Sequence, residues 1–353
     1  MDDPTIAPPS HASSPPRPGA GGRVASSVST GLRPVLLGLA GDSASGKSTL
    51  SRGLEYVLGV ERVGRVCTDD YHRYDRATRT AIGVTPLAPE ANRIDVMAEH
   101  LHRLAAGDPV TKPTYDHLTG GFGPDETIEP SEIVIVEGLL PLADRAVRDA
   151  IDVAVFLDPD EELRRRWKLE RDVFERGYSP RDVVAELERR ERDADRHVRP
   201  QRDVADVIVR FFRRGGADRR GRAGRRGSRA DGDRDARLSA MVTVRPTLPY
   251  PALREVLGRF RARGVEPVRW STRTDRRGPM SVLEIDGDCP ADLGSELEEA
   301  LWSSMRPDDR LQRDRIGVIR KPGQPEIRSE ALALAQLLIV AHLVGAFDGA
   351  FEL

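Results

Sequence analysis

The chain has 353 residues, enough for two lobes or one elaborated α/β domain. Its 55 basic and 57 acidic residues leave a formal charge of −2, which argues against a nucleic-acid partner for the chain as a whole. No apolar run reaches the ~18 residues of a membrane span, and two cysteines build no disulfide framework and suit a reducing cytoplasm. Residues 1–30 are rich in Pro, Ser, Ala and Gly and lack the apolar stretch of a signal peptide, so a disordered tail is predicted.

The apolar run 34–40 reads as a strand, and a helical pattern covers 48–58. Between them stands Gly41-Asp42-Ser43-Ala44-Ser45-Gly46-Lys47-Ser48, followed by Thr49. Strand, Gly-rich loop and helix start together make this a phosphate-binding loop. Gly41 and Gly46 permit backbone angles that a Cβ forbids. Loop amides and the helix N-terminus then face an anion. Lys47 would reach the β- and γ-phosphates of a nucleotide, and Ser48 would ligand Mg²⁺. Only four of the 55 basic residues are lysine, at 47, 112, 168 and 321. Lys47, Lys112 and Lys168 are therefore marked as candidate site positions, because Arg does not replace Lys freely at a phosphate.

A short strand over 62–68 ends in Asp69-Asp70-Tyr71-His72. On an extended strand the two carboxylates point to opposite faces, so only one addresses the phosphate site, where it accepts a proton or holds a metal. Residues 73–89, with Arg73, Arg76, Arg79 and prolines, read as a loop. A helix is predicted over 89–106, with His100 and His102 on its surface. A strand at 110–121 enters a Gly turn and gathers Lys112, Tyr115 and His117, a set suited to a polar pocket. The buried strand 132–138 ends in Glu137, placed near Mg²⁺ directly or through water. Then come a helix at 139–150, a strand at 151–157, and a helix at 161–176 carrying Lys168, Arg171, Asp172 and Arg176, of which Lys168, Arg171 or Asp172, and Arg176 share a broad face.

A charged helix at 179–195 and a strand at 204–211 follow, and then the composition changes. Residues 213–237 are Arg, Gly and Asp with nothing apolar larger than Ala, which predicts a flexible linker rather than an RNA-binding tract. Apolar residues resume at 238–247 with Met241, Val242 and Val244; strands are predicted at 265–271 and 281–285, and helices at 250–262, 291–305 and 329–344. No catalytic pattern occurs in this second half, so sheet extension, a lid or subunit contact is expected of it. The fold class is α/β: a P-loop NTPase-like, mostly parallel sheet flanked by helices, with a C-terminal α/β extension. The expected divisions are a tail (1–30), a core (31–212), the linker (213–237) and the extension (238–353).

The joint series is specific. It runs from the loop at 41–48 through Asp69-Asp70-Tyr71-His72 with Asp75-Arg76, and Pro89-Glu90-Ala91-Asn92 with Asp95. It continues through Lys112-Pro113-Thr114-Tyr115 with His117, Val136-Glu137-Gly138-Leu139, and Lys168-Leu169-Glu170-Arg171-Asp172 with Glu175-Arg176-Gly177. This series resembles the phosphoribulokinases, within the phosphoribulokinase/uridine kinase group. The resemblance implies a cytoplasmic Calvin-cycle kinase that phosphorylates the 1-hydroxyl of D-ribulose 5-phosphate with ATP and Mg²⁺, as a homodimer or higher homo-oligomer. It implies that Asp69 is the general base, with Lys47, Lys168 and Asp172 also catalytic. ATP would lie on Gly41, Asp42, Ser43, Ala44, Ser45, Gly46, Lys47, Ser48 and Thr49, and the metal on Ser48 and Glu137. Tyr71, His72, Arg76, Tyr115, His117, Arg171 and Arg176 would hold the sugar phosphate.

Two departures stand out. Plant and cyanobacterial members carry a regulatory thiol pair, but Ser45 occupies one of those positions here and only Cys67 remains; the Arg/Gly tract is also unlike the family. A uridine or other small-molecule kinase is the alternative, and would need a base pocket in place of the Arg cluster. A non-catalytic or RNA-associated protein is a third reading, weakened by the joint presence of Lys47, Asp69 and Glu137.

Overall fold

The computed structural model describes residues 33–214, 237–245, 251–262, 264, 266–305, 310–320 and 325–351. The expected tail lies outside them, as does most of the expected linker, from 215 to 236. In chain order, β1 (Val35–Gly41), α1 (Lys47–Leu58) and β2 (Val63–Cys67) are followed by α2 (Arg76–Ile82) and α3 (Ile94–Ala105). A hairpin of β3 (Val110–Asp116) and β4 (Gly121–Ile128) leads to β5 (Ile133–Gly138), α4 (Arg145–Arg148), β6 (Val153–Leu157), α5 (Glu161–Phe174), α6 (Pro180–Asp193) and β7 (Val207–Phe212). Then come β8 (Ser239–Val244), α7 (Pro251–Ala262), β9 (Val268–Asp275), β10 (Gly278–Ile285) and α8 (Ala291–Ser304). A two-stranded pair, β11 (Val318–Ile319) and β12 (Ile327–Arg328), precedes α9 (Glu330–Phe351).

The main sheet has the order β2-β5-β1-β6-β7-β8-β10-β9. Its first five strands are parallel and the last three add on antiparallel, so the second half of the chain extends the same sheet. Leu37, Leu39, Ile133 and Ile135 face one side, against Leu50 and Leu54 of α1 and Leu334 and Leu338 of α9. Leu36, Val134 and Val136 face the other, against Met97, Leu101 and Leu104 of α3. A strand covered on both faces reads as a continuous apolar run, which is why β1 and β5 were legible. Truncating a fully buried side chain such as Leu54 would cost about 2–5 kcal/mol.

Several segments differ from the sequence reading, among them the unpredicted strand β4. Residues 73–89 are not all loop: Asp75 caps α2 by accepting from Thr78 N at 2.7 Å, and Gly83 closes it in the left-handed region (φ 71°). The helix expected from 89 begins at Ile94. Of 139–150 only α4 is helical, because Gln201 takes the backbone polar groups a helix would use. Its Oε1 accepts from Leu142 N at 2.8 Å and its Nε2 donates to Leu139 O at 2.7 Å, while Leu139 and Leu140 pack into a small core with Leu87 and Val198. His100 is half-buried rather than on the surface, with Nδ1 3.1 Å from the Tyr71 hydroxyl. Among the described residues no helix is long and apolar enough to cross a membrane.

Candidate active site

At the C-terminal ends of the parallel strands a cleft of about 1060 Å³ opens, the place where sheets of this kind bind ligands. The turn from β1 into α1 forms its floor. Gly41 has φ 152°, and a Cβ there would stand 2.7 Å from Leu157 O and from Ser45 Oγ; Gly46 has φ 95°. No side chain caps α1, so its first amides remain available to an anion. Residues 43–49 line the cleft, but Gly41 and Asp42 do not. The Asp42 carboxylate turns outward to Arg164 at 3.4 Å and Arg199 at 3.8 Å, so its side chain braces the loop rather than touching a ligand. Lys47 Nζ donates to Gly41 O and Asp42 O, each at 2.8 Å. Burial lowers its pKa, opposed by the nearby Asp69, Asp42 and Glu137 carboxylates.

Beyond β2, Asp69 and Asp70 lie on a single 3-10 turn (Thr68–Tyr71), not on an extended strand. The two acids nevertheless part company. Asp69 lines the cleft, with His117 Nε2 3.4 Å from its Oδ2. Burial opposes its charge, but the contact with His117 and the charges of His72 and Lys47 outweigh that and hold the carboxyl below its usual range. Asp70 instead accepts from the buried Lys112 Nζ at 2.7 Å and from Tyr115 N at 2.8 Å. Lys112 is thus a strut that pins β3 to this turn and does not line the cleft. With β3 fixed, Tyr115 and His117 reach the cleft wall, and His72 is oriented by Asn92 Oδ1, 2.7 Å from its Nδ1. Tyr71 is corrected: it is fully buried in the α3-side core and does not reach the cleft.

Cations line the remaining walls. On α5, Lys168 Nζ donates to Asp172 Oδ2 at 2.6 Å, and Asp172 Oδ1 takes Arg171 Nε at 2.8 Å and Arg176 at 3.4 Å. Burial works against the charge of Asp172, but Arg171 and Lys168 hold its pKa down. Asp172 thus holds three cations together. Arg171 also reaches Ser43 Oγ at 3.2 Å, joining α5 to the phosphate loop. Arg76 enters from the start of α2 and donates to His117 O at 2.5 Å.

Glu137 lines the cleft at the end of β5. One of its oxygens, Oε1, is bound by Arg65, while Oε2 is buried with no hydrogen-bond partner. A carboxylate oxygen left bare, close enough to Lys47 of the phosphate loop to act on its charge, fits a hard divalent cation completed by nucleotide phosphate. No cluster of three His, Cys, Asp or Glu able to hold a metal alone occurs among the described residues.

Several cleft residues escaped the sequence reading. Arg79 is buried, donates to Tyr115 OH at 2.7 Å, and stacks on that ring. Glu186, Arg189 and Arg190 of α6 line the cleft, with Arg190 2.6 Å from Glu186. Their three- and four-residue spacing from Glu186, behind the Ser179-Pro180 helix start, was the available signal. Ile319, Arg320, Ser329 and Leu332 reach the cleft from the second half, and nothing in the local pattern announced it.

The sequence profile described as "Phosphoribulokinase / Uridine kinase family" matches residues 36–215. The chain is 44% identical over 180 residues to a phosphoribulokinase of Synechocystis sp., covering 51% of this chain and 54% of that protein. It is 37% identical over 194 residues to the chloroplastic phosphoribulokinase of Triticum aestivum, covering 50% and 48%. A uridine kinase of Leuconostoc citreum is 31% identical over 185 residues, covering 51% and 88%. The match spans about half the length of these Synechocystis and Triticum phosphoribulokinases. The solved phosphoribulokinase from Rhodobacter spheroides aligns with a TM-score of 0.51 at 17% identity, over 78% of this chain and 95% of that one, a likeness of fold.

Proposed function

We propose that this chain, which belongs to the phosphoribulokinase/uridine kinase family, transfers the γ-phosphoryl group of ATP to the 1-hydroxyl of D-ribulose 5-phosphate, giving ribulose 1,5-bisphosphate and ADP in the Calvin cycle. The observation that carries the reading is the meeting of Asp69 and the phosphate loop in one cleft whose other walls are lined by Arg76, Lys168, Arg171 and Arg176. Two anionic substrates need such concentrated cations, and Arg grips phosphate bidentately. Phosphoryl transfer needs in-line positioning and charge neutralisation more than covalent chemistry.

In this reading the remaining loop amides and the first amides of α1 hold the β- and γ-phosphates with Lys47, while Ser43 N, Ser45 N and Thr49 N already donate to Asp42 Oδ1, Asp42 O and Gly46 O. Arg76, Arg171 and Arg176 hold the sugar phosphate, with Tyr115, His72 and His117 along the sugar. Asp69 accepts the proton of the attacking hydroxyl, with His117 orienting its carboxylate. Ser48 and Glu137 would hold Mg²⁺, which when bound neutralises charge on the phosphates. Lys168 and Asp172 keep Arg171 and Arg176 in place. The same reading includes a cytoplasmic assembly of identical chains, checked by sedimentation of the full chain.

A coupled assay of ADP release across pentose phosphates and nucleosides tests the function. Turnover with ribulose 5-phosphate is expected. Robust phosphorylation of uridine with none of ribulose 5-phosphate would reject the reading.

A further inference from the structure

We infer that Arg65 is a positioning residue for the metal side of the cleft: it holds one oxygen of Glu137 and leaves the other free for a divalent cation. The inference rests on the reading of this cleft as a metal–nucleotide site, and deepens it.

β2 and β5 are parallel neighbours, with Arg65 opposite Ile135 and Cys67 opposite Glu137. Strand periodicity puts these four side chains on the sheet face that α1 covers. From there Arg65 Nη2 donates to Glu137 Oε1. Its Nη1 lies 3.8 Å from Glu55 Oε2 on α1. Arg65 is thus strung between the metal-side carboxylate and the helix whose first turn carries Lys47 and Ser48.

The pairing is one-sided. Arg65 takes only Oε1, although a guanidinium can take both carboxylate oxygens. Glu137 Oε2 is left buried, without a hydrogen bond, at the cleft wall. A buried carboxylate oxygen without a partner is unfavourable, and a cation bound there removes the penalty. Arg65 carries a positive charge, which alone would repel such a cation. Glu55 offsets it: the trio Glu55, Arg65 and Glu137 sums to one negative charge, so orientation of Oε2 is the larger effect of Arg65. Groups that orient a metal ligand in this way are worth about 10–100-fold in metal affinity.

The test measures Mn²⁺ binding to the full chain with ADP, reading free Mn²⁺ by electron paramagnetic resonance. Metal-free ADP affinity is measured in parallel by calorimetry with chelator present. Arg65→Met should raise the Kd for Mn²⁺ by about 10-fold while metal-free ADP affinity stays within about twofold. Arg65→Lys keeps the charge and one donor, so it should restore most of the loss. Glu55→Gln leaves the Arg65 charge uncompensated, and should weaken Mn²⁺ in the same direction even if the Met variant fails to fold. Unchanged or tighter Mn²⁺ binding in Arg65→Met would overturn the inference. So would an equal loss of metal-free ADP affinity, which marks a general distortion. If wild type binds Mn²⁺ with ADP and turns over ribulose 5-phosphate but the Arg65 variants bind normally, only this inference fails. If wild type binds no Mn²⁺ with ADP, the metal role of Glu137 fails with it, and the substrate panel decides the function separately.

Discussion

At the tip of β2, Asp69 lines the cleft while Asp70 turns away to clamp Lys112, so the two acids should fail differently on substitution. Asp69→Asn should lower kcat by about 10²–10⁴-fold, the contribution of a positioned base, with ATP binding nearly intact. Asp70→Asn should lose about 1–3 kcal/mol of stability, because Lys112 stays buried with a weakened partner; urea midpoints check this. A kcat loss larger for Asp70 would reverse the assignment. Because Asp69 is held below the ordinary carboxylate range, it should be ionised throughout about pH 5–8 and contribute no limb to kcat/KM there. Its contribution to stability is present above the ordinary Asp pKa and is lost as pH falls through the lower folded value. Asp69→Asn should therefore flatten the fall of the urea midpoint below about pH 4. Cys67 is pushed well above the usual thiol range by burial, then by Asp69, Asp70 and Glu137, and Ser45 offers no sulfur partner. Oxidised dithiothreitol should leave activity unchanged, and reversible inactivation would contradict this. At this scale Lys47, Asp69, Glu137 and Asp172, all singled out in the sequence, line one cleft: Asp69 and Glu137 at strand ends, Lys47 and Asp172 on helices. Tyr71 rested on the resemblance alone and Lys112 on the scarcity of lysine, and neither signal says which way a side chain points; both are buried and do not line the cleft.

The elements around the cationic walls of the cleft meet across the chain: α2 brings Arg76 and Arg79, the β3–β4 hairpin brings Tyr115 and His117, and α5 brings Lys168, Arg171 and Asp172, with Arg176 just beyond its end. Arg76→Ala or Arg176→Ala removes a charge-assisted contact of about 1.5–3 kcal/mol, so KM for ribulose 5-phosphate should rise about 10–100-fold and KM for ATP far less. Steady-state kinetics with each substrate varied in turn check it, and a larger rise for ATP would move these arginines to the nucleotide. Long periodic elements were legible, and so were strands buried on both faces. α2 carried its own signals in Asp75 and Gly83, but its short apolar pattern hid them. The missing helix after β5 was not legible at all, because the group that unwinds it, Gln201, lies about sixty residues away.

Over the whole molecule, one core joins both halves. Leu37, Val155 and Val207 of the parallel strands pack in the same cluster as Val242, Leu283, Leu297 and Leu338, and β7 pairs directly with β8. A fragment ending at Arg214 would bare the edge of β7 and the α9-covered face, and should aggregate rather than fold; a stable, monomeric fragment by sedimentation and circular dichroism would contradict this. The second half lacks catalytic patterns, yet it supplies Ile319, Arg320, Ser329 and Leu332 to the cleft. Long-range wall residues of this kind leave no local trace in sequence. The central claim is that one cleft brings ATP, a sugar phosphate and the base Asp69 together. The most direct measurement follows label from γ-³²P-ATP into ribulose 5-phosphate, with magnesium, for wild type and Asp69→Asn. The account predicts label on the 1-hydroxyl with wild type and at least about a hundredfold slower transfer with the variant; label absent from the sugar, or transferred equally fast by both, would contradict it.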